Sequence, residues 1–336
     1  MSSIAMLMPR RVMNRVMSEE ALQRLAGGRQ VAFPPPAEGS PPSWDNVIRG
    51  AEIILTSWNS PPLSEALLQE APQLKLLLHA AGSVKSVVTD SLWERGIRVV
   101  SSASVLSRGV AETALGLTIM SLKNIWDVTE RTRAGDWWNN RVDEVRSGIR
   151  EMYGLTIGCI GAGQAGRRYM ELLRHFRVKV LLYDPTLTVQ QAAALGAESV
   201  SMERLMSEAD LVMVLAPEIP ATYRMINEAR LSLLKDDAVL INLARGSLVD
   251  ESALQRRLSS SGCRLKVILD VTDPEPPPAS HWLRTHPNIR LTGHIAGSVN
   301  NGLFALGAFV LDELERYESG EPLIGEIDRA GLNQLA

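Results

Sequence analysis

Short apolar runs recur along the whole chain, separated by stretches in which apolar residues return at helical spacing. In the first third the runs are Ile4–Met8, Val31–Phe33, Ile53–Thr56, Leu74–Leu78 and Ile97–Val100. Between them, Ser18–Ala26 and Leu63–Glu70 have Ser or Pro near their starts and read as amphipathic helices. A proline-rich stretch from Phe33 to Trp44 reads as a surface connection. Strands that alternate with helices form parallel sheets, because parallel neighbours need a crossover between them.

A long helical pattern begins near Gly109, with Val110, Ala114, Leu117 and Leu122 at helical spacing. After a turn over Gly135–Asn140 comes a second series of strands: Leu155–Ile160, Val178–Tyr183, Leu211–Leu215, Val239–Asn242, Val267–Val271 and Ile289–Thr292. Six strands with helices between them are the number used by a complete dinucleotide-binding fold. Asn300–Glu318 reads as a further helix, able to return to the first domain. The fold class is α/β, a Rossmann-type doubly wound parallel sheet joined to a second α/β domain.

Composition narrows the classes. Of 336 residues, 45% are hydrophobic and 22% charged, an ordinary balance for a globular protein of two domains. A net charge of -3 gives no electrostatic case for nucleic acid or an anionic membrane. Arg10-Arg11 and Arg167-Arg168 read as solvated or phosphate-adjacent groups. Cys159 and Cys263 form neither a disulfide framework nor a metal-ligand spacing, which suits a reducing cytosol, and no metal is expected. The basic N-terminal stretch has too short an apolar run, Ile4–Met8, for a signal-peptide core. No stretch approaches the length of a membrane span. The expectation is a soluble, cytoplasmic protein.

The sharpest motif is Gly161-Ala162-Gly163-Gln164-Ala165-Gly166, between the strand Leu155–Ile160 and a helical run, Arg167–Phe176. Gly161 permits a tight turn, Gly163 a close approach to a pyrophosphate, and Gly166 close packing of helix on strand. The helix start, with Gln164 and Ala165, offers free N–H groups to phosphate oxygens. Asp184 ends the next strand, where a carboxylate accepts from the adenosine ribose and repels a 2′-phosphate. Pro185-Thr186 brings no compensating cation, so NAD(H) is favoured over NADP(H). Asp184 also suits a turn before proline.

In an open parallel sheet, ligands bind beyond the carboxyl ends of the strands. At that edge stand Ala216-Pro217, Leu243-Ala244-Arg245-Gly246, Asp270 with Glu275, and Gly293-His294. Each also has a structural use: Arg245 could pair with Asp250, Glu275 could be a solvated loop acid, and His294 a satisfied histidine at a domain seam. Their conjunction points to chemistry. Hydride transfer to a ketone needs a proton donor and a cation that holds a carboxylate-bearing substrate. A histidine beside a carboxylate supplies the first, and the planar fork of arginine the second.

Five segments together resemble the D-isomer-specific 2-hydroxyacid dehydrogenase family: Gly109–Thr113, the glycine loop, Asn242–Asp250, Leu269–Val271 with Glu275-Pro276, and Gly293–Gly297. The family includes glyoxylate/hydroxypyruvate reductases, D-lactate dehydrogenases and phosphoglycerate dehydrogenases. The resemblance implies an NAD-dependent oxidoreductase acting at C2 of a small 2-oxo or 2-hydroxy acid. Arg245 would bind the substrate, Glu275 would orient His294, and His294 would be the acid and base. Asp270 would hold the nicotinamide carboxamide, with Ala216, Pro217, Ala244 and Gly297 also lining the cofactor. Gly82-Ser83-Val84 would offer backbone N–H groups to the substrate.

The resemblance further implies a flavodoxin-like substrate domain over residues 1–106, completed by 300–336, and an NAD-binding domain over 107–299. It implies a homodimer, an active site in the cleft between domains, and domain closure around the cofactor. At this length the regulatory extensions of some phosphoglycerate dehydrogenases are not expected, and simple non-allosteric kinetics are. Two departures stand out. Gly293 replaces the proline usual before the histidine, and Ala80–Lys85 replaces a Gly-Val-Gly run. Trp58 is a candidate pocket wall or a packing residue, and Trp137-Trp138 a candidate subunit contact. The alternative reading is an NAD-sensing, co-repressor-like interaction protein with little turnover. Formate oxidation on the same fold is disfavoured, since those enzymes carry glutamine where this chain has Glu275.

Overall fold

The computed structural model describes residues 3–34, 43–137 and 139–334. Most of the proline-rich stretch between Phe33 and Trp44, and Trp138, lie outside the described residues. The chain divides into two compact units, Met1–Ser107 with Ser298–Leu335, and Arg108–Gly297.

The first unit carries β1 (Ser3–Met6), β2 (Gln30–Ala32), β3 (Ile53–Thr56), β4 (Leu76–His79) and β5 (Arg98–Ser101). The second carries β6 (Thr156–Ile160), β7 (Lys179–Tyr183), β8 (Glu198–Ser199), β9 (Leu211–Val214), β10 (Val239–Asn242), β11 (Lys266–Leu269) and β12 (Ile289–Leu291). A last strand, β13 (Glu326–Ile327), returns to the first unit.

In the first unit the order is β2-β1-β3-β4-β5, all parallel, with β13 antiparallel on the outer edge of β5. This is the flavodoxin-like order. The sheet is covered on both faces, which is why β3 and β4 read as unbroken apolar runs. Alternate residues feed two cores. Ile4, Met6, Ile53, Leu55 and Leu78 meet Leu303, Leu306 and Val310 of the helix Asn301–Ser319. Ala5, Leu7, Ile54, Leu77 and Val99 face the opposite core.

The second unit has the order β8-β7-β6-β9-β10-β11-β12, parallel throughout. It is the doubly wound dinucleotide order with one strand more than the six predicted, since β8 has two residues and no readable period. Its strands reverse direction of winding between β6 and β9, which brings the loops after those two strands side by side.

Three sequence readings are corrected: the starts of two helices, and the expectation that no stretch approaches the length of a membrane span. The long helix runs Ala103–Leu122, beginning six residues before Gly109, and a short helix, Asn140–Ser147, starts at the end of the predicted turn. The long helix also has the length and apolarity to cross a membrane, with 20 residues and a mean hydropathy of 1.2 over its best window. Half of that window is buried, and Thr118 bonds the ring hydroxyl of the buried Tyr169 at 2.6 Å. It is packed as a core helix.

Candidate active site

The turn after β6 is shaped by two glycines that tolerate nothing larger. Gly161 has φ +95°, and a Cβ there would stand 2.7 Å from the backbone of Ala216. A Cβ on Gly166 would stand 2.2 Å from the Gly161 carbonyl oxygen, so the helix Gln164–Leu173 seats directly on the turn. Gly163 caps that helix with no side-chain hydrogen bond. The first N–H groups, on Gln164, Ala165 and Gly166, are therefore not taken up by a cap and suit an anion.

Asp184 stands just past β7. One carboxylate oxygen accepts from the Ala162 N–H at 2.6 Å. The other accepts from the Thr186 N–H at 2.9 Å and its hydroxyl at 2.6 Å. These bonds are those of the turn reading: Asp184 braces the turn at Thr186 and ties the second strand to the glycine loop. Ala216 is buried and Pro217 half-buried in the loop after β9. The bare turn, the uncapped helix start and the carboxylate fit the pyrophosphate and ribose of a dinucleotide.

Three further loops at the same edge come together in the second unit. Buried Asn242, at the end of β10, accepts from the Ala244 N–H at 3.0 Å and donates to the Arg245 carbonyl at 2.9 Å, fixing that turn. Arg245 donates to the Ala244 carbonyl at 2.7 Å. A Cβ on Gly246 would lie 2.1 Å from the Thr272 carbonyl carbon, so the turn carrying Arg245 rests on the loop carrying Glu275.

Asp270, 3% exposed, is turned inward. Its carboxylate accepts from the Thr292 hydroxyl at 2.6 Å and from the Ile295 and Ala296 N–H groups at 2.9 and 3.0 Å. Its own carbonyl accepts from the His294 N–H at 2.6 Å. Thr113 of the long helix donates to the Ala296 carbonyl at 3.2 Å, and the Gly297 carbonyl packs on Gly109. The Thr292–Gly297 loop is thus held from both sides.

On that loop His294 Nδ1 meets Glu275 Oε1 at 2.5 Å. A carboxylate only accepts, so Nδ1 carries the proton and Nε2 is the ring nitrogen outside the pair. Both side chains are partly exposed. Gly293 and His294 have φ of 75° and 60°. Proline is locked near −65°, so the departure at Gly293 is a difference in backbone path, and the His–Glu pair forms in spite of it.

In the first unit Gly82-Ser83-Val84 follows β4, with Val84 buried and Gly82 and Ser83 half-buried. Trp58 lies 39% exposed in the loop after β3, and Trp137 of the second unit is 58% exposed. Sequence reasoning missed a polar group beneath the Gly82 loop: Thr56, Ser57, His79, Ser101 and Ser102, all buried. Burial pushes the His79 imidazole down to about 4, against the pull of a hydrogen bond to the Ser83 backbone. The signal was a polar residue at the end of each of three apolar runs.

Residues 115–296, just over half of the chain, match the family model described as D-isomer specific 2-hydroxyacid dehydrogenase, NAD binding domain. The chain is 29% identical over 275 residues to a D-3-phosphoglycerate dehydrogenase of Methanocaldococcus jannaschii, a match covering 82% of this chain and 51% of that protein. It thus spans about half the length of that relative. It is 29% identical over 276 residues to a glyoxylate reductase of Pyrococcus furiosus, with 80% of each chain covered. Among solved structures, the TT0316 protein from Thermus thermophilus superposes with a TM-score of 0.77 at 27% identity, covering 98% of this chain and 100% of that one.

Proposed function

The chain belongs to the D-isomer specific 2-hydroxyacid dehydrogenase family, and from that premise we propose that it interconverts a small 2-oxo acid and its D-2-hydroxy acid with NAD(H). The observation that carries this reading is the Glu275–His294 pair at 2.5 Å, on loops adjoining the turn of Arg245. Gly161, Gly163 and Gly166, the N–H groups of Gln164 and Ala165, Asp184 and the loop at Ala216-Pro217 would hold the dinucleotide. A nicotinamide cofactor bound there supplies hydride to C2 of the acid or takes it up.

The chain's own residues do the rest. Arg245 grips the substrate carboxylate and polarises the carbonyl with its planar fork. His294 gives a proton from Nε2 to the carbonyl oxygen during reduction and takes it back during oxidation. Glu275 accepts from Nδ1–H and so fixes the tautomer and orientation of the ring. Asp184 opposes a 2′-phosphate, so NADH is the preferred donor over NADPH. We assign a homodimer as well, supported by the helix Ile125–Arg133, which buries none of its residues.

The test is NADH oxidation followed by nicotinamide absorbance over glyoxylate, hydroxypyruvate, pyruvate, phenylpyruvate and branched 2-oxo acids, with NADPH in parallel. Turnover that follows NADH and vanishes in Arg245→Ala is expected. Silence across the panel, with NADH still bound, would overturn the enzyme reading in favour of a nucleotide-sensing protein.

A further inference from the structure

Glu275 stands among four prolines, Pro274, Pro276, Pro277 and Pro278, in a stretch that is mostly exposed. Proline has no N–H to give, and little apolar surface is buried here, so the backbone around the acid is tied mainly through its carbonyls. On the near side Thr272 gives its hydroxyl to the Pro274 carbonyl at 2.9 Å and its N–H to Glu275 Oε2 at 3.4 Å. On the far side Arg284 closes the loop on itself. Its Nη2 donates to the Pro277 carbonyl at 2.6 Å, and its Nε to those of Pro277 and Pro278 at 3.1 and 3.0 Å. The His281 N–H adds a bond to the Pro278 carbonyl at 2.9 Å.

This closed turn is fastened to the second unit at one carboxylate oxygen. Glu251 Oε1 accepts from Trp282 Nε1 at 3.0 Å and lies 2.9 Å from His281 Nε2. A carboxylate only accepts, so that ring nitrogen carries the proton. Leu283, next in the chain, is buried in the core. Burial is non-directional and sets only the depth of the segment, whereas hydrogen bonds have direction and fix its rotation about that anchor. Glu251 opens the helix Glu251–Leu258, whose capping residue, Asp250, ends the turn that carries Arg245. One side chain thus joins the loop of Glu275 to the element that follows Arg245.

We infer that Glu251 is a positioning residue: by holding His281 and Trp282 it orients the turn closed by Arg284, and through that turn it sets Glu275 against His294. The catalytic consequence rests on the proposed reductase activity, whereas the consequence for the His294 ring does not. Without Glu251 the far side of the loop is free to rotate about Leu283. Glu275 then no longer holds the Nδ1 proton in place, while the glycine loop is untouched.

The experiment compares wild type, Glu251→Ala and Glu251→Gln by two measurements. Nitrogen-15 NMR of the His294 ring at alkaline pH, where an imidazole is neutral, shows which nitrogen bears the proton. Steady-state kinetics with NADH over the panel of 2-oxo acids gives kcat and KM. Glu251→Ala is expected to turn a ring protonated at Nδ1 into a mixture of tautomers. It should also lower kcat at least about tenfold, since a displacement of 1 Å costs about a hundredfold, with KM and NADH affinity changing less. Glu251→Gln keeps an oxygen for both donors and is expected to restore the ring and the rate. A ring still held at Nδ1 in Glu251→Ala, or a glutamine variant no better than alanine, would overturn the inference. Absence of wild-type turnover on every acid would overturn the reductase reading, and the ring measurement then decides the inference by itself. Should Glu251→Ala not fold, Arg284→Ala removes only an exposed side chain and its bonds to the two proline carbonyls. It is expected to produce the same change at His294, and an unaltered ring would overturn the inference equally.

Discussion

Gly246→Ala is the most direct perturbation of the candidate active site, because it touches no proposed catalytic atom. A Cβ at that position would meet the Thr272 carbonyl carbon at 2.1 Å and the Asp273 nitrogen at 2.4 Å, where ordinary contact begins at 3.4 Å. Both obstacles are backbone, so no side chain can swing aside. The turn bearing Arg245 and the loop bearing Glu275 must part by about 1 Å, and a misplacement of that size costs about a hundredfold in rate, or about 2.7 kcal/mol of barrier. Overpacking of this kind also lowers stability by about 1–3 kcal/mol. The glycine loop is a separate segment, so NADH affinity is expected to fall less than kcat/KM. Steady-state kinetics with glyoxylate, fluorescence titration of NADH and thermal melting separate these effects. A variant with wild-type kcat/KM and an unchanged melting temperature would refute the idea that contact between these two loops aligns arginine with the His–Glu pair.

Three further outcomes are expected. His294→Ala lowers kcat by at least about a hundredfold while NADH binding stays near normal, and loss of cofactor binding would contradict its assignment. Asp184→Ala narrows the discrimination between NADH and NADPH, and an unchanged ratio of kcat/KM values would count against the ribose role. The third concerns acid. The folded value of His79, about 4, lies below its ordinary 6.5, so as pH falls the unfolded chain takes the proton first. Stability from this group is complete above 6.5 and drains between 6.5 and 4, by about 3 kcal/mol at most. Urea unfolding of wild type and His79→Gln across that window checks it, and equal acid sensitivity of the two would remove His79 as the cause.

Much of the fold was legible because both sheets are parallel and covered on both faces, so β3, β4, β9 and β10 print as unbroken apolar runs. β8 and β13, with two residues each, carry no period to read. The long helix began early because Ala103-Ser104-Val105 continues a strand's composition into a helix. Arg245, Glu275 and His294 could be picked out because strand ends locate a ligand edge once the glycine loop is recognised. What the sequence could not carry was orientation. Asp270 turns its carboxylate into the histidine loop, and Gly293 takes a backbone angle closed to proline. His79 looked like the tail of an apolar run. Only the adjacency of β3, β4 and β5 gathers it with Thr56 and Ser101.

The first unit is built from two separated stretches, and this bears on how the protein is made. Residues 108–297 are contiguous and can fold as they leave the ribosome. The sheet β1–β5 emerges first but cannot finish. Leu303, Leu306, Val310 and Leu311, which cover one of its faces, are synthesised only after the whole second unit. During that interval the nascent chain presents an open apolar sheet face, the kind of surface that invites misassembly and chaperone attention. The second unit matures while the first waits for its closing helix, so synthesis that stops at Gly297 leaves a folded nucleotide-binding body joined to an unsealed partner.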